Sequence, residues 1–514
     1  MGIENRFSEL VKSALPLLVS LLFLAGCSAR LQPVDSPVEV TPPPSTAAQW
    51  QELNTIHQDD WFHVLNVGSE ALDWRLRAID SAVDSIDLQT FIWDLDGSGA
   101  LIRDHLLAAA ERGVFVRVLV DDSFVLDADD ELLDIDGHEH IELKVFNPYK
   151  RRSSEAGLRT VLNLGEFHRL DHRMHNKVMV IDNQAAVLGG RNLADHYFGY
   201  DQSDNFRDME VVTGGPVVHE LASGFDLYWN DTWSFPVDAI MEQRAGPGEA
   251  ETVTADSPGG VAGYRHVEQT ADERLASWLA LARSAHTGSA RLLLDEPPTE
   301  NPADRTEAPV QVGNQLIQAI DSANEEVWLI SAYLIPTDAL EAAIQRAEQR
   351  GVQVRILTNS INSNNHLTAH SAYRKHVKRL LEMGVDVHEL REDAEDRDLY
   401  IVSPVEDKSL CLHAKLIIFD RDRVFLGSAN LDPRSMRINT EMGLLVESES
   451  LNTELRTLLE PDFSLRNAWH LVLHEDDSIS WVSDEETLDH QPTHSFMRRI
   501  EDWFLTLLPI EDEM

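Results

Sequence analysis

The chain has 514 residues, 43% hydrophobic and 7% aromatic, which suits a globular protein with a large core and room for roughly two to four ordinary domains. It carries 88 acidic against 43 basic side chains, a formal charge of −45. So acidic a surface argues against a general polyanion binder and fits solubility in a salty habitat, but screening within about 8 Å still allows a few lysines in a closed cleft to hold an anion.

Residues 1–26 read as a lipoprotein signal peptide. Met1 to Lys12 is polar, and Ala14 to Gly26 is an apolar run with six leucines. About 13 residues is too short for a comfortable membrane span and right for a signal core. The run ends in Leu24-Ala25-Gly26-Cys27, which resembles a bacterial lipobox and implies lipidation at Cys27. An uncleaved anchor helix is the alternative, since Glu4 and Glu9 balance Arg6 and Lys12; either form tethers the chain to the cell envelope. In a Gram-negative cell, Ser28 reads as permitting transfer to the outer membrane, facing the periplasm. Residues 27–48, with Pro33, Pro37, Pro42, Pro43 and Pro44, read as a proline-rich tether that lets the body stand off the bilayer.

The body is a tandem duplication. Ala78-Ile79-Asp80-Ser81-Ala82 recurs at Ala319-Ile320-Asp321-Ser322-Ala323, and Gly113 to Leu119 recurs as Gly351 to Leu357. Each half predicts a helix ending near Asp84 or Asn324, then a strand, Ile86 to Ile92 or Val327 to Leu334. An Ala-rich helix follows, Leu101 to Glu111 or Leu340 to Gln349, and a second strand, Val114 to Val120 or Val352 to Leu357. Strand, helix and strand at this spacing form a right-handed βαβ unit. The expected fold is α/β: a first half over 49–245, a junction over 246–300 without clear period, and a second half over 301–514 that ends in an amphipathic helix. Phe496, Ile500, Trp503, Phe504, Leu507 and Leu508 mark that helix, which suits a membrane surface or the core of the second half equally.

Two motifs carry the chemistry. His175-Asn176-Lys177, four apolar residues and Asp182 match His413-Ala414-Lys415, four apolar residues and Asp420. Each leads through a turn to a glycine segment, Gly189-Gly190-Arg191-Asn192 or Gly427-Ser428-Ala429-Asn430. On a strand, residues i and i+2 face the same way, so each histidine shares a face with its lysine. Two such half-sites facing each other place two imidazoles, two ammoniums and two amides around one phosphate.

These paired motifs resemble the signature of the phospholipase D superfamily, and the wider pattern is similar to bacterial cardiolipin synthases of the C type. Phe146-Asn147-Pro148-Tyr149, Leu357-Thr358-Asn359-Ser360, His370 with Tyr373, Asp432-Pro433-Arg434-Ser435 and Asn439-Thr440-Glu441-Met442-Gly443 carry that likeness. The lipobox and proline tether depart from it. The first half also departs, because the eight-residue step from Asn192 lands on Asp201; Asp208 is the counterpart of Glu441, displaced by a five-residue insertion.

The resemblance implies two phospholipase D-like halves, each a mixed sheet flanked by helices, with one active site at their interface. It implies phosphatidyl transfer through a phosphohistidine, with His175 as nucleophile and His413 as acid and base. Lys177, Lys415, Asn192 and Asn430 would hold the phosphoryl oxygens, Glu441 and Asp208 would orient the imidazoles, and Asp182 and Asp420 would give support at strand ends. The substrates expected are phospholipids at a membrane surface, phosphatidylglycerol first and phosphatidylethanolamine as a further substrate, and not nucleic acid. No metal or nucleotide cofactor is needed. His366 and His370 are spaced i, i+4 but lack a third ligand, His168 and His172 read as local hydrogen-bonding residues, and Cys411 reads as a small buried hydrophobe.

Overall fold

The computed structural model describes residues 31–123, 128–152, 159, 162–241, 264, 267–297, 311–493 and 495–506. The lipobox cysteine, the signal segment and Leu507-Leu508 lie outside the described residues.

Both βαβ units form as the sequence predicts. Asp96 accepts from the Gly99 amide to cap helix Gly97–Glu111, and Thr337 accepts from Leu340 to cap helix Asp338–Gln349. Each helix ends at an Arg-Gly pair whose glycine, Gly113 or Gly351, takes a positive φ of 91° or 86° that a side chain would disfavour. The chain then turns back into strand Phe115–Asp121 or Gln353–Asn359, parallel to Ser85–Thr90 or Glu326–Ser331.

The two halves build sheets of matching order. In the first, strands Asp60–Leu65, Glu210–Gly214, Ala185–Gly189, Val178–Ile181, Ser85–Thr90, Phe115–Asp121, Ile141–Phe146 and Ser234–Pro236 lie side by side. In the second the order is His286–Leu294, Met442–Glu447, Arg423–Gly427, Lys415–Phe419, Glu326–Ser331, Gln353–Asn359, Asp386–Leu390 and Ala468–Leu473. Only the parallel trio in each sheet comes from βαβ crossovers, so both sheets are mixed. Pairing of Asp60–Phe62 with His286–Gly288 joins them into one eighteen-stranded sheet. One apolar cluster draws Phe62, Val180, Leu188 and Val211 from the first half and Ile330, Ile418, Leu426 and Leu444 from the second. The interface between halves is therefore core, and both half-sites are fixed relative to each other.

Two expectations need correction. The segment 27–48 is not a free tether along its described length. It is extended but strapped to the first half: Val34 donates to the Thr232 carbonyl, Glu39 to Asn230, Thr41 to Asp226, and Ser45 to the Asp182 carbonyl. Prolines set the extended path, and the backbone amides between them find buried or half-buried acceptors on the first half.

The junction 246–300 is also too long. Helix Ala271–Ser284, with a Thr270–Glu273 capping box, packs on the first half through Trp278, and His286–Leu294 is the opening strand of the second sheet. That strand occupies the place Asp60–Leu65 holds in the first. Its weak alternation hid it.

The closing helix Phe496–Thr506 packs against helix Leu367–Glu382 through a buried charge, while the side chains of Phe496, Trp503 and Phe504 lie outside the described residues. Asp502 is buried, pairs with His370 at 3.0 Å and accepts from Ser371 at 2.8 Å, while Met497 and Ile500 face out. Among the described residues no helix is long and apolar enough to cross a membrane.

Candidate active site

The apolar runs behind each motif form inner strands, Val178–Ile181 and Lys415–Phe419, buried along their whole length. The histidine and lysine stand at the start of each strand and the aspartate of the motif just past its end. There Asp182 and Asp420 take left-handed turns, with φ of 52° and 49°. Asp182 accepts from the amides of Val83, Asp84 and Ser85 and from the Trp50 indole, and Asp420 accepts from the amides of Asn324, Glu325 and Glu326. Both tie one strand's end to the next. Neither joins the reacting groups.

The halves cross at the histidines. His175 Nδ1 meets Glu441 of the second half at 2.9 Å, and His413 Nδ1 meets Asp208 of the first half at 2.7 Å. The backbone is exchanged the same way: the His175 amide donates to the Thr440 carbonyl and the His413 amide to the Arg207 carbonyl. Strand Ser409–Leu412 pairs in parallel with Asp204–Arg207 to bring the second exchange into register. Neither half can orient its own imidazole. Asp208, displaced by an insertion, nevertheless reaches the position expected of it.

A carboxylate at Nδ1 fixes the tautomer, with the proton on Nδ1 and the lone pair on Nε2. Among the described residues neither Nε2 has a hydrogen-bond partner. Burial pushes His175 down to about 4 and His413 to about 3, the neighbouring lysines adding to the shift against the carboxylates. Both rings are therefore neutral at neutral pH. Burial alone would raise Asp208, but the His413 hydrogen bond and nearby cations hold it at about 2, and Glu441 is lowered for the same reason.

Lys177 and Lys415 each donate to the carbonyl of their own motif histidine, which leaves further ammonium hydrogens free. Burial lowers Lys177 to about 7 and Lys415 to about 8, while Glu441 and Asp208 help keep the charge. Lys415 acts on His175 and Lys177 on His413, so the groups of the two halves share one electrostatic field.

The two asparagines are not equivalent. Asn192 gives one amide hydrogen to the Tyr197 hydroxyl at 2.7 Å, and its oxygen accepts from Ile92. Asn430 is buried with its oxygen unpartnered. Aromatic walls were not anticipated: Phe91 meets His175 edge-on at 4.9 Å, while Phe206 stacks on His413 at 4.9 Å and Tyr197 meets it edge-on at 5.0 Å. Their numbering carries no repeat, since 91, 197 and 206 all belong to the first half. The His168 side chain lies outside the described residues, and Cys411 and His366 do not join the site. Cys411 is a buried free thiol, and His366 packs on Tyr333 at 5.5 Å.

Comparison with known proteins agrees with this geometry. Residues 76–229 and 316–463 match the family described as cardiolipin synthase, phospholipase D-like domain. The chain is 33% identical over 451 residues to cardiolipin synthase C of Escherichia coli, covering 86% of this chain and 93% of that one. It is 30% identical over 501 residues to an uncharacterized Helicobacter pylori protein, covering 94% and 97%. Among solved structures, phosphatidylserine synthase of Haemophilus influenzae superposes with a TM-score of 0.56 at 14% identity, over 90% of this chain and 99% of that one, a likeness of fold alone. With the family matched in both halves and a full-length relative above 30% identity, the chain belongs to the cardiolipin synthase family of phospholipase D-type phosphatidyltransferases.

Proposed function

We propose that the enzyme transfers a phosphatidyl group between glycerophospholipids through a phosphohistidine, with cardiolipin formed from phosphatidylglycerol and a second phospholipid. The observation that carries the reading is the crossed pair of neutral imidazoles, each held at Nδ1 by the other half's carboxylate and each presenting a free Nε2 beside a lysine. The Nε2 lone pair of His175 attacks phosphorus of the donor lipid and the bond to its departing head-group oxygen, that of glycerol or ethanolamine, breaks. That oxygen takes a proton from His413 Nε2, which the site acquires with the substrate because a phosphodiester anion raises a neighbouring imidazole's pKa. His413 then removes the proton of the incoming hydroxyl, whose oxygen displaces the histidine nitrogen from phosphorus. Lys177, Lys415 and the Asn430 amide stabilise the charge on the phosphoryl oxygens.

The acceptor decides the product. Purified protein is given phosphatidylglycerol vesicles with and without phosphatidylethanolamine, and lipids are read by mass spectrometry. Cardiolipin with release of glycerol from phosphatidylglycerol alone, or with release of ethanolamine when phosphatidylethanolamine serves as donor, supports the proposal. Phosphatidic acid alone would mean that water is the acceptor, and cleavage of labelled DNA in preference to lipid would replace the reading by a nuclease.

We also propose that Cys27 is the lipidated anchor of an envelope lipoprotein, at the outer membrane in a Gram-negative cell. The strap supports this. Leu31 donates to Glu166 in the loop that leads into His175, whereas Ser45 lies at the far end of the same strand, beside Asp182. Four residues span at most about 14 Å, so an anchor at Cys27 holds the active-site end toward the bilayer. Cys27→Ala should move the protein from the membrane fraction to the soluble one; unchanged fractionation would remove the anchor from the proposal.

A further inference from the structure

A second cluster lies away from the reacting groups. Strands Asp386–Leu390 and Ala468–Leu473 run antiparallel with His388 directly opposite His470. Asp386 precedes His388 by two, so the three side chains share one face of the sheet. That face is the one Leu416 and Ile418 line, three strands across from the catalytic strand and on the opposite side from Lys415. At about 4.8 Å per strand the separation is about 14 Å.

Both imidazoles turn Nε2 to a single oxygen. His388 stands 3.0 Å and His470 3.1 Å from Asp386 Oδ1. The rings stack with centroids 4.8 Å apart, and Phe463 closes on His388 edge-on at 5.3 Å. Arg355 donates to the other carboxylate oxygen, Oδ2, at 3.2 Å, and its charge is shared with Glu460 at 3.1 Å.

We infer that these three side chains form a divalent-cation site, with zinc as the ion its chemistry favours. Two imidazole nitrogens and one carboxylate oxygen are a zinc donor set, poorly suited to magnesium or calcium. Ligand atoms around a tetrahedral zinc stand about 3.3 Å apart, which follows from bonds of about 2.0–2.1 Å. The two nitrogen–oxygen separations already approach that value, and all three ligand atoms lie within 4.8 Å of one another. Each imidazole presents its lone pair by carrying its proton on Nδ1, which in His388 is buried without a partner among the described residues, a cost that the metal bond has to offset. The Asp386 and His470 side chains are 39% and 38% exposed, which leaves the fourth position to water. Arg355 on Oδ2 orients the carboxylate from outside, as outer hydrogen bonds to metal ligands do. The ion would tie the strand at 386–390 to that at 468–473, beside the hairpin that closes the sheet, so its role is structural. His470 lies 82 positions beyond His388 in the chain, which is why no local spacing reveals the set.

The test uses untagged full-length protein stripped with a chelator, then titrated with Co²⁺ as a visible probe and with Zn²⁺ in competition. His470→Ala removes a half-exposed ligand, and Asp386→Asn keeps the shape of its side chain. The expected result is one equivalent of Co²⁺ with the intense absorption of four-coordinate cobalt, displaced by Zn²⁺. Both variants should lose at least about tenfold in affinity, and Zn²⁺ should raise the melting temperature of the wild type alone. Phosphatidyl transfer by metal-free His470→Ala should equal that of the metal-free wild type, which shows the variant folded. Equal cobalt stoichiometry and spectra in wild type and variants, or no four-coordinate band in the wild type, would overturn the site.

Discussion

The two half-sites meet the same requirement, a carboxylate held against Nδ1, by different means. At the matched positions 190 and 428, the first half has glycine and the second serine. Ser428 donates its hydroxyl to Glu441, whose longer side chain reaches His175 from the neighbouring strand. Asp208 is one methylene shorter, and a Cβ at Gly190 would collide with both its carboxylate oxygens. The short acid therefore works only beside a bare backbone. The surroundings differ too. Among the described residues Phe206 and Tyr197 enclose His413, whereas Phe91 alone packs on His175, and burial pushes both imidazoles down. Duplication supplied two copies of the motif, and divergence gave each imidazole its own shell.

Separate replacement of the two histidines breaks the comparison most sharply. His175→Ala should abolish transfer, while His413→Ala should lose about 10²–10⁴-fold, the range for general acid–base groups. A substrate analogue whose leaving group needs no proton should restore the first step in His413→Ala and not in His175→Ala; rescue of both alike would deny the division of roles.

Lysine loss comes next. Lys177→Met and Lys415→Met should each cost about 10²–10³-fold in kcat, as removal of an oxyanion donor does. Because burial lowers these lysines to about 7 and about 8, kcat/KM should fall as pH rises through that interval, the ammonium charge being lost. A pH profile still rising above 8 would contradict this.

Smaller effects test the two supports. Gly190→Ala should displace Asp208 and lower activity more than Ser428→Ala, which removes one hydrogen bond worth about 1 kcal/mol, roughly fivefold. Adding Gly190→Ala to Asp208→Ala should cost little further activity, since the carboxylate it would displace is already gone and the two losses do not sum. Additive losses would show that Gly190 acts by some other route.

Much of this was legible in the sequence because a repeat doubles each signal. His175 with His413 and Asn192 with Asn430 stand 238 positions apart, and both βαβ units follow from alternating apolar runs closed by Arg-Gly. What stayed hidden depends on contacts between distant segments. Nothing local says that Glu441 serves His175 and Asp208 serves His413, or that one Asn192 amide hydrogen is taken by Tyr197. Proline content marks 31–45 as extended but is silent on whether it lies on the body. The opening strand of the second half escaped because its residues alternate between half-buried and exposed instead of showing a clean apolar stripe.

One measurement addresses the composite site most directly: acid-stable trapping is not needed if the reaction is quenched rapidly at alkaline pH, where phosphohistidine survives, and the intact protein and its peptides are weighed. The account predicts a single phosphatidyl adduct per chain, on the peptide containing His175, absent from His175→Ala and accumulating when the acceptor is withheld. Adducts on both histidines of one chain, or on His413 alone, would contradict it.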